Sequence, residues 1–429
     1  MNILKVIHGY PPRYNAGSEV YSRTLCRGLI EKGHKVTVFS RFENPFLPDY
    51  HEEHDKDGDI DLWLINLPLE KHRCNISDEQ VDLCFKKLLG KVKPDLVHIG
   101  HLNHLSSSLV KIIKEQKIPI VYTLHDYWLM CPRGQFIQRK QSADMNIWPL
   151  CSGQEDAKCA KNCYAGYFTG VAASEDVQYW QKWIHNRMQY IKHIATLIDA
   201  YIAPSQYLLN RFKNYFAIPS SKLYYLDYGF NVDILHGRMR SKDEPWTFGY
   251  IGTHIPSKGI QLLIKAFSNL QNSDCILKIW GKFNTQNTPG LQQLIKELPL
   301  MIQERIEWCG EYQNDSIVRD VFNKIDCLVV PSIWVENSPL VIHEALQVRL
   351  PIITADIGGM AEYVQHEVNG LLFKHRDYAD LYKQMHKTYM QQEWINSIAI
   401  RGYLGSKDGN VVNIPEHILA VENIYKMFV

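Results

Sequence analysis

The chain has 429 residues, 45% apolar and 22% charged, the make-up of an ordinary globular protein long enough for two substantial cores. Its 47 Lys and Arg against 46 Asp and Glu leave a net charge of +1, which excludes a protein that holds nucleic acid by bulk field. No stretch approaches the roughly 18 apolar residues of a bilayer-spanning helix, and the start MNILKVIH lacks a secretory cleavage pattern, so a reducing cytoplasmic setting is expected.

Apolar runs predict strands at Ile3–Gly9, Lys35–Ser40, Asp61–Leu67, Asp95–Gly100, Pro119–Leu124 and Asp199–Ala203. Helical periodicity falls between them at Ser18–Gly33, Ser77–Val92 and Ser106–Gln116. Strand alternating with helix predicts βαβ units and a parallel, doubly wound sheet.

One stretch breaks the pattern. Residues 130–174 show no period and contain Cys131, Cys151, Cys159 and Cys163, four of the ten cysteines. Four thiols this close in a reducing compartment suit a structural zinc that would staple the insertion; disulfides and unlinked thiols are the other readings. Next comes Tyr179–Ile198, a helix with Trp180, Trp183, Tyr190 and Ile191 beside Lys182, Arg187 and Lys192. It reads either as a domain helix burying its aromatic side or as a peripheral membrane contact.

The strand–helix grammar restarts after the polar stretch His236–Pro245. Strands are expected at Trp246–Ile251, Cys275–Trp280, Arg305–Cys309, Cys327–Pro331, Pro351–Thr354 and Gly370–Phe373. Helices are expected at Gly259–Leu270, Leu291–Gln303, Ser316–Ile325 and Pro339–Val348. The fold class is therefore α/β, with two Rossmann-like domains facing across a ligand cleft. The first domain spans 1–236, a linker 237–245, and the second domain 246–405. Residues 406–429 carry a last helix, Pro415–Met427, that would pack back on the N-terminal domain.

The most informative stretch runs from Val329 to Ala345. An apolar strand ends, a polar turn follows, and Ser338-Pro339 reads as the N-cap and first position of a helix. Free amides and the helix dipole there would favour an anion. Glu336 and Glu344 flank that start, and carboxylates beside an anion site suit hydroxyl groups of the same ligand. Phosphate plus polyol describes a nucleotide sugar.

Glu336 and Glu344 match the E-x7-E signature, and on it the chain resembles the family-4 retaining glycosyltransferases of the GT-B fold. Other segments are similar in the family's order. They are Pro11–Glu19 with Gly17, Thr123-Leu124-His125-Asp126, Ala203-Pro204-Ser205, Asp227–Asp233, Gly249–Gly259 and Ile357–Glu362. The resemblance covers roughly 1–130 and 195–425. It implies transfer of a hexose from a nucleotide diphosphate sugar, UDP-glucose or a relative, to a hydroxyl of a glycan or polyprenyl-linked acceptor, without a catalytic metal.

By the same resemblance, Gly17 lets backbone approach the donor and Lys258 meets the diphosphate. Asn337, Ser338, Pro339 and Leu340 lie along phosphate and sugar. Glu336 accepts from sugar hydroxyls, Glu344 from the ribose, Tyr312 sits by the base, and His125 lies near the transferred sugar. Thr253 stands where the family usually has Arg, which removes a guanidinium that clamps phosphate; Lys258 remains, and His254 is the neighbour placed to compensate. Two alternatives differ in class: a two-lobed nucleotide- or sugar-binding protein without transferase activity, and a GT-B sugar epimerase or phosphorylase. A nicotinamide enzyme is disfavoured because neither half opens with G-x-G-x-x-G after its first strand.

Overall fold

Apolar runs flanked by helices become central strands buried on both faces, and the two halves of the chain each build one such sheet. The structure, a computed structural model, describes residues 1–68, 76–139, 148–166, 173–241, 243–271 and 273–429. It divides into two units. Unit 1 holds Met1–Gln135, Gly153–Gly229 and Val412–Val429, and unit 2 holds Phe136–Ser152 and Phe230–Val411.

In unit 1 the strands are β1 (Asn2–Val6), β2 (Lys35–Phe42), β3 (Glu52–Asp57), β4 (Ile60–Asn66), β5 (Leu96–Ile99), β6 (Ile120–Thr123), β7 (Ala200–Ala203) and β8 (Leu223–Tyr225). Among the described residues they pair in the order β3-β4-β2-β1-β5-β6-β7-β8. All are parallel except the β3–β4 pair. Two strands have no apolar signature. β3 reads EEHDKD, a charged edge that discourages pairing with another chain, and β8 has three residues at the opposite edge. Helix α1 (Gly17–Glu31) follows β1. The C-terminal helix (Ile414–Tyr425), opened by a capping box of Asn413 and Glu416, belongs to unit 1 and packs on α1.

In unit 2 the strands are β9 (Thr247–Ile251), β10 (Ile276–Trp280), β11 (Ile306–Gly310), β12 (Cys327–Val330), β13 (Ile352–Ala355) and β14 (Leu371–Phe373). Among the described residues they form one parallel sheet ordered β11-β10-β9-β12-β13-β14. The chain passes from unit 1 to unit 2 between Gly229 and Phe230, so the expected linker 237–245 lies inside unit 2. Arg238 and Arg240 hold it there, donating to the carbonyls of Phe322 and Ile325 and to Asp326. The helix expected over Leu291–Gln303 is two pieces, Thr288–Lys296 and Leu300–Gln303, broken at Pro299.

Within the expected insertion 130–174, residues 140–147 and 167–172 lie outside the described residues. Residues 136–138 and 149–151 form a short antiparallel pair that belongs to unit 2, with Arg376 donating to the Trp148 carbonyl at 2.7 Å. The basic aromatic helix is one element, α2 (Ser174–Leu197). Its Trp180, Ile184 and Met188 pack with Cys159, Cys163 and Tyr164, and Trp183 joins them. Arg187 is buried, donating to the Trp128 carbonyl at 2.8 Å with its guanidinium over the Trp128 ring. The aromatic side of this helix is thus spent on the core, as the domain-helix reading expects. Among the described residues, no helix is long and apolar enough to cross a membrane.

Candidate active site

In unit 2, β9 leads outward to β10 on one side while β12 leads to β13 on the other, so the loops after β9 and β12 border the switch point where open α/β sheets take ligands. The loop after β9 carries Lys258 and the loop after β12 carries Ser332 and Glu336. Lys258 Nζ lies 2.6 Å from Glu336 Oε1, and Ser332 Oγ donates to the same oxygen at 2.6 Å. Glu336 is 5% exposed, so its charge is compensated inside the protein rather than by water. The two loops are also joined through backbone, Ile333 N donating to Ser257 O at 2.9 Å.

The helix after this turn, α3 (Leu340–Gln347), begins at Leu340 and not at Pro339. Pro339 takes the N-cap position with extended backbone, and the Ser338 hydroxyl caps nothing. It is buried without a hydrogen-bond partner among the described residues. The reason lies in the neighbouring backbone. Gly359 N donates to Glu336 O at 3.0 Å, and a Cβ on Gly359 would fall 1.2 Å from Asn337 O. The Gly358-Gly359 corner therefore presses directly on Glu336 and Asn337 and keeps the chain extended there.

Glu344 sits one turn into α3, and burial pushes its carboxyl up to about 7, with a small opposing effect from His343. Tyr312, after β11, is raised by burial and by the Glu344 charge. Asn337 is buried, whereas Pro339 and Leu340 are half-buried. Thr253 is exposed, and its carbonyl accepts from the Tyr250 hydroxyl at 3.1 Å and from Ile255 N at 2.9 Å. His254 does not replace the missing guanidinium. It turns inward to Thr288 and Trp308, and burial lowers its pKa, so it is a neutral imidazole.

Unit 1 places Gly17 exposed at the start of α1 and His125 just beyond β6. His125 Nδ1 is 2.8 Å from the Tyr228 hydroxyl, and its ring meets the edge of Tyr21. The Tyr21 hydroxyl lies 3.0 Å from His417 Nε2, while His417 Nδ1 is 2.7 Å from the Asp227 carbonyl. A carbonyl only accepts, so Nδ1 of His417 carries the proton and Nε2 receives the tyrosine. Burial, followed by Lys5, His101 and His8, keeps His125 well below the usual histidine range. His125 is therefore a neutral group held by an aromatic cage. Tyr21 and His417 gave no motif in the sequence, since they meet only through folding across 396 positions. Ser332 had a signal, lying four residues before Glu336 in the same strand-end turn.

The four cysteines expected to hold zinc fall in different parts of the fold. Cys159 and Cys163 face the apolar cluster under α2, and Cys151 belongs to unit 2 while the other three belong to unit 1. Among the described residues, no group of three or more His, Cys, Asp or Glu could hold a metal ion. Burial beside Trp180 and Ile184 is the physical reason for two of these thiols.

Two parallel sheets, each with polar side chains at its switch point, define the two-Rossmann class to which many group-transferring enzymes belong. The chain belongs to glycosyltransferase family 4: residues 16–234 match the family described as Glycosyltransferase Family 4, and residues 232–402 match Glycosyl transferases group 1. It is a glycosyltransferase of GT-B fold. A relative described as an uncharacterized 42.6 kDa protein in the cps region of Klebsiella pneumoniae is 24% identical, over 84% of this chain and 87% of that one. An uncharacterized glycosyltransferase of Methanocaldococcus jannaschii is 22% identical, over 86% and 84%. Among solved structures, sucrose-phosphate synthase from Thermosynechococcus elongatus is similar with a TM-score of 0.70 at 16% identity, covering 99% of this chain and 98% of that one. Anabaena HepE in complex with UDP and glucose is similar with a TM-score of 0.69 at 15% identity, covering 99% of both.

Proposed function

We propose that the protein is a retaining hexosyltransferase that takes a sugar from a UDP-sugar and places it on a hydroxyl of a glycan or lipid-linked acceptor in polysaccharide biosynthesis. The observation that carries this reading is the Lys258–Glu336 pair at the switch point of unit 2, with Glu344 and Tyr312 beyond it. The binding of UDP and UDP-glucose by HepE supports the donor. The fold shared with WaaG, described as involved in lipopolysaccharide biosynthesis, supports the acceptor class.

In this reading the donor exchanges partners with the resting pair. The Lys258 ammonium turns to the diphosphate, which gains negative charge as the glycosidic bond breaks, so the interaction strengthens in the transition state. Glu336, still held by Ser332, accepts hydrogen bonds from the sugar hydroxyls. The Ser338 hydroxyl, buried and unpartnered, gains an acceptor in the phosphate. A departing phosphate oxygen takes the proton of the incoming hydroxyl on the same face of the sugar, which keeps the anomeric configuration.

The test is a melting-temperature screen with UDP, GDP, ADP and their sugars, because a ligand that binds only the folded state raises the midpoint by mass action. UDP and at least one UDP-sugar are expected to raise it. No rise with any nucleotide diphosphate would overturn the reading.

A further inference from the structure

The C-terminal helix (Ile414–Tyr425) is seated in unit 1 at two glycines. A Cβ on Gly28 of α1 would fall 2.5 Å from Ile418 Cγ1, and one on Gly229 would fall 2.5 Å from the Cβ of His417. Apolar contacts would be enough to hold such a helix. This one also sends two polar side chains into the interior, His417 at 3% exposure and Tyr425 fully buried. Burying such groups costs stability unless they are paired, and both are paired.

The two have different ends. The Tyr425 hydroxyl is 2.5 Å from His98 Nδ1, and His98 Nε2 is 2.7 Å from Thr123 Oγ1. Thr123 is already fixed by its pairing with Ile202 of β7, so this contact braces the helix. His417 instead ends on the cage around His125. Its Nδ1–H holds the Asp227 carbonyl, and so the backbone that carries the next residue, Tyr228; its Nε2 takes the Tyr21 hydroxyl. The Tyr21 ring packs on Tyr228 at 4.6 Å and meets His125 edge-on at 5.3 Å. Tyr228 completes the string, its hydroxyl 2.8 Å from His125 Nδ1. Both walls of the cage are therefore tied to one imidazole from the far end of the chain.

We propose that His417 is a positioning residue for His125: through Tyr21 and Tyr228 it fixes the plane and the tautomer of that ring. This deepens the reading above and rests on His125 lying beside the transferred sugar. A ring held in one orientation is aligned with the reacting centre in every turnover. A loose ring is misaligned part of the time, which lowers kcat and leaves donor affinity alone.

The test uses the full chain labelled with 15N-histidine, the His125 resonances being those missing from His125→Gln. His417→Asn keeps an amide that can donate to the Asp227 carbonyl and does not reach Tyr21. Tyr21→Phe keeps the ring and loses the hydroxyl. Tyr425→Phe removes a buried hydroxyl of the same helix away from the cage. In the wild type the two His125 nitrogens are expected to show the widely split shifts of a single neutral tautomer, and in His417→Asn and Tyr21→Phe to move towards each other. In these two variants kcat for UDP release from UDP-glucose is expected to fall about 10-fold with KM within about 2-fold, the equivalent of one lost hydrogen bond. Tyr425→Phe is expected to lower the melting point and to move neither readout. Should His417→Asn fail to fold, Tyr21→Phe carries the test. Unchanged nitrogen shifts or a wild-type kcat in Tyr21→Phe would overturn the proposal, as would an equal response in Tyr425→Phe, which would make the helix a brace only. Failure of the wild type to bind UDP would overturn the donor reading, and this one with it.

Discussion

Lys258 Nζ and Glu336 Oε1 are 2.6 Å apart across the switch point of unit 2, so each compensates the charge of the other. Lys258→Ala leaves a buried carboxylate with only Ser332, and Glu336→Ala removes the hydroxyl acceptor. Each is expected to abolish turnover of a UDP-sugar. Lys258→Ala should also destabilise the protein, by about 1–3 kcal/mol, and the double variant should recover part of that loss, because no buried charge is then left alone. Denaturant unfolding of the four proteins measures the coupling, and full activity in either single variant would refute the site.

Glu344 supplies a pH dependence. Its carboxyl stands at about 7, so between pH 6 and 8 its ionised fraction rises from roughly one-tenth to nine-tenths. If the carboxylate receives the ribose hydroxyls, affinity for UDP-glucose should increase about ten-fold over that range, and Glu344→Gln should flatten the profile. The stability effect has the opposite sense. An acid whose folded pKa lies above its unfolded value of 4.5 favours folding while protonated, and that contribution is lost as pH rises from about 4.5 through 7. Titration at each pH checks the first, and melting of Glu344→Gln against the wild type checks the second.

The fold was legible because buried parallel strands are continuous apolar runs, as in Cys327–Val330, and those runs alternate with helices. β3 was not, because its EEHDKD sequence at an edge has no apolar run, and its partners, such as Trp63 for His54, come from elsewhere in the chain. The strand, turn and helix around Glu336 and Glu344 were legible, yet the helix starts one residue later than its Ser-Pro signal indicates. Ser338-Pro339 obeys local capping preference, and the Gly359 contact with Asn337, from 22 positions along the chain, overrides it. Spacing alone cannot tell thiols that face a metal from thiols that face Trp180.

Lys5 is the odd residue of β1, 1% exposed, with no hydrogen-bond partner for Nζ among the described residues. Burial pulls its pKa down to about 8 from 10.5, Cys26 opposing slightly. The unfolded chain thus binds more protons than the folded one between these values, and stability is expected to rise as pH goes from 8 towards 10.5. Lys5→Met should remove that slope and stabilise the protein at neutral pH by up to about 3 kcal/mol. A flat wild-type stability profile across this window would reject the assignment.

Thr253 is exposed, and the carbonyl beside it is pinned by Tyr250 and Ile255, so the loop holds its shape whatever side chain stands there. Thr253→Arg should be tolerated and should tighten UDP binding by about 3- to 10-fold at low salt, the gain shrinking as ionic strength rises. Titrations at two salt concentrations check both parts, and an unchanged affinity would mean that this corner faces away from the diphosphate.

Gly359 gives the sharpest test of how the loop from Glu336 to Pro339 is held. Its missing Cβ makes room for the Asn337 carbonyl, and its N–H holds the Glu336 carbonyl. Gly359→Ala cannot be absorbed by a rotamer change, because the atom in the way is backbone, so the loop from Glu336 to Pro339 must shift. Loss of UDP binding and a melting point lower by several degrees are expected, as for about 1–3 kcal/mol of overpacking strain. Gly290→Ala meets nothing within 4 Å and, inside a helix, should be neutral or slightly stabilising. Equal behaviour of the two variants would show that the Gly358-Gly359 corner does not position Glu336.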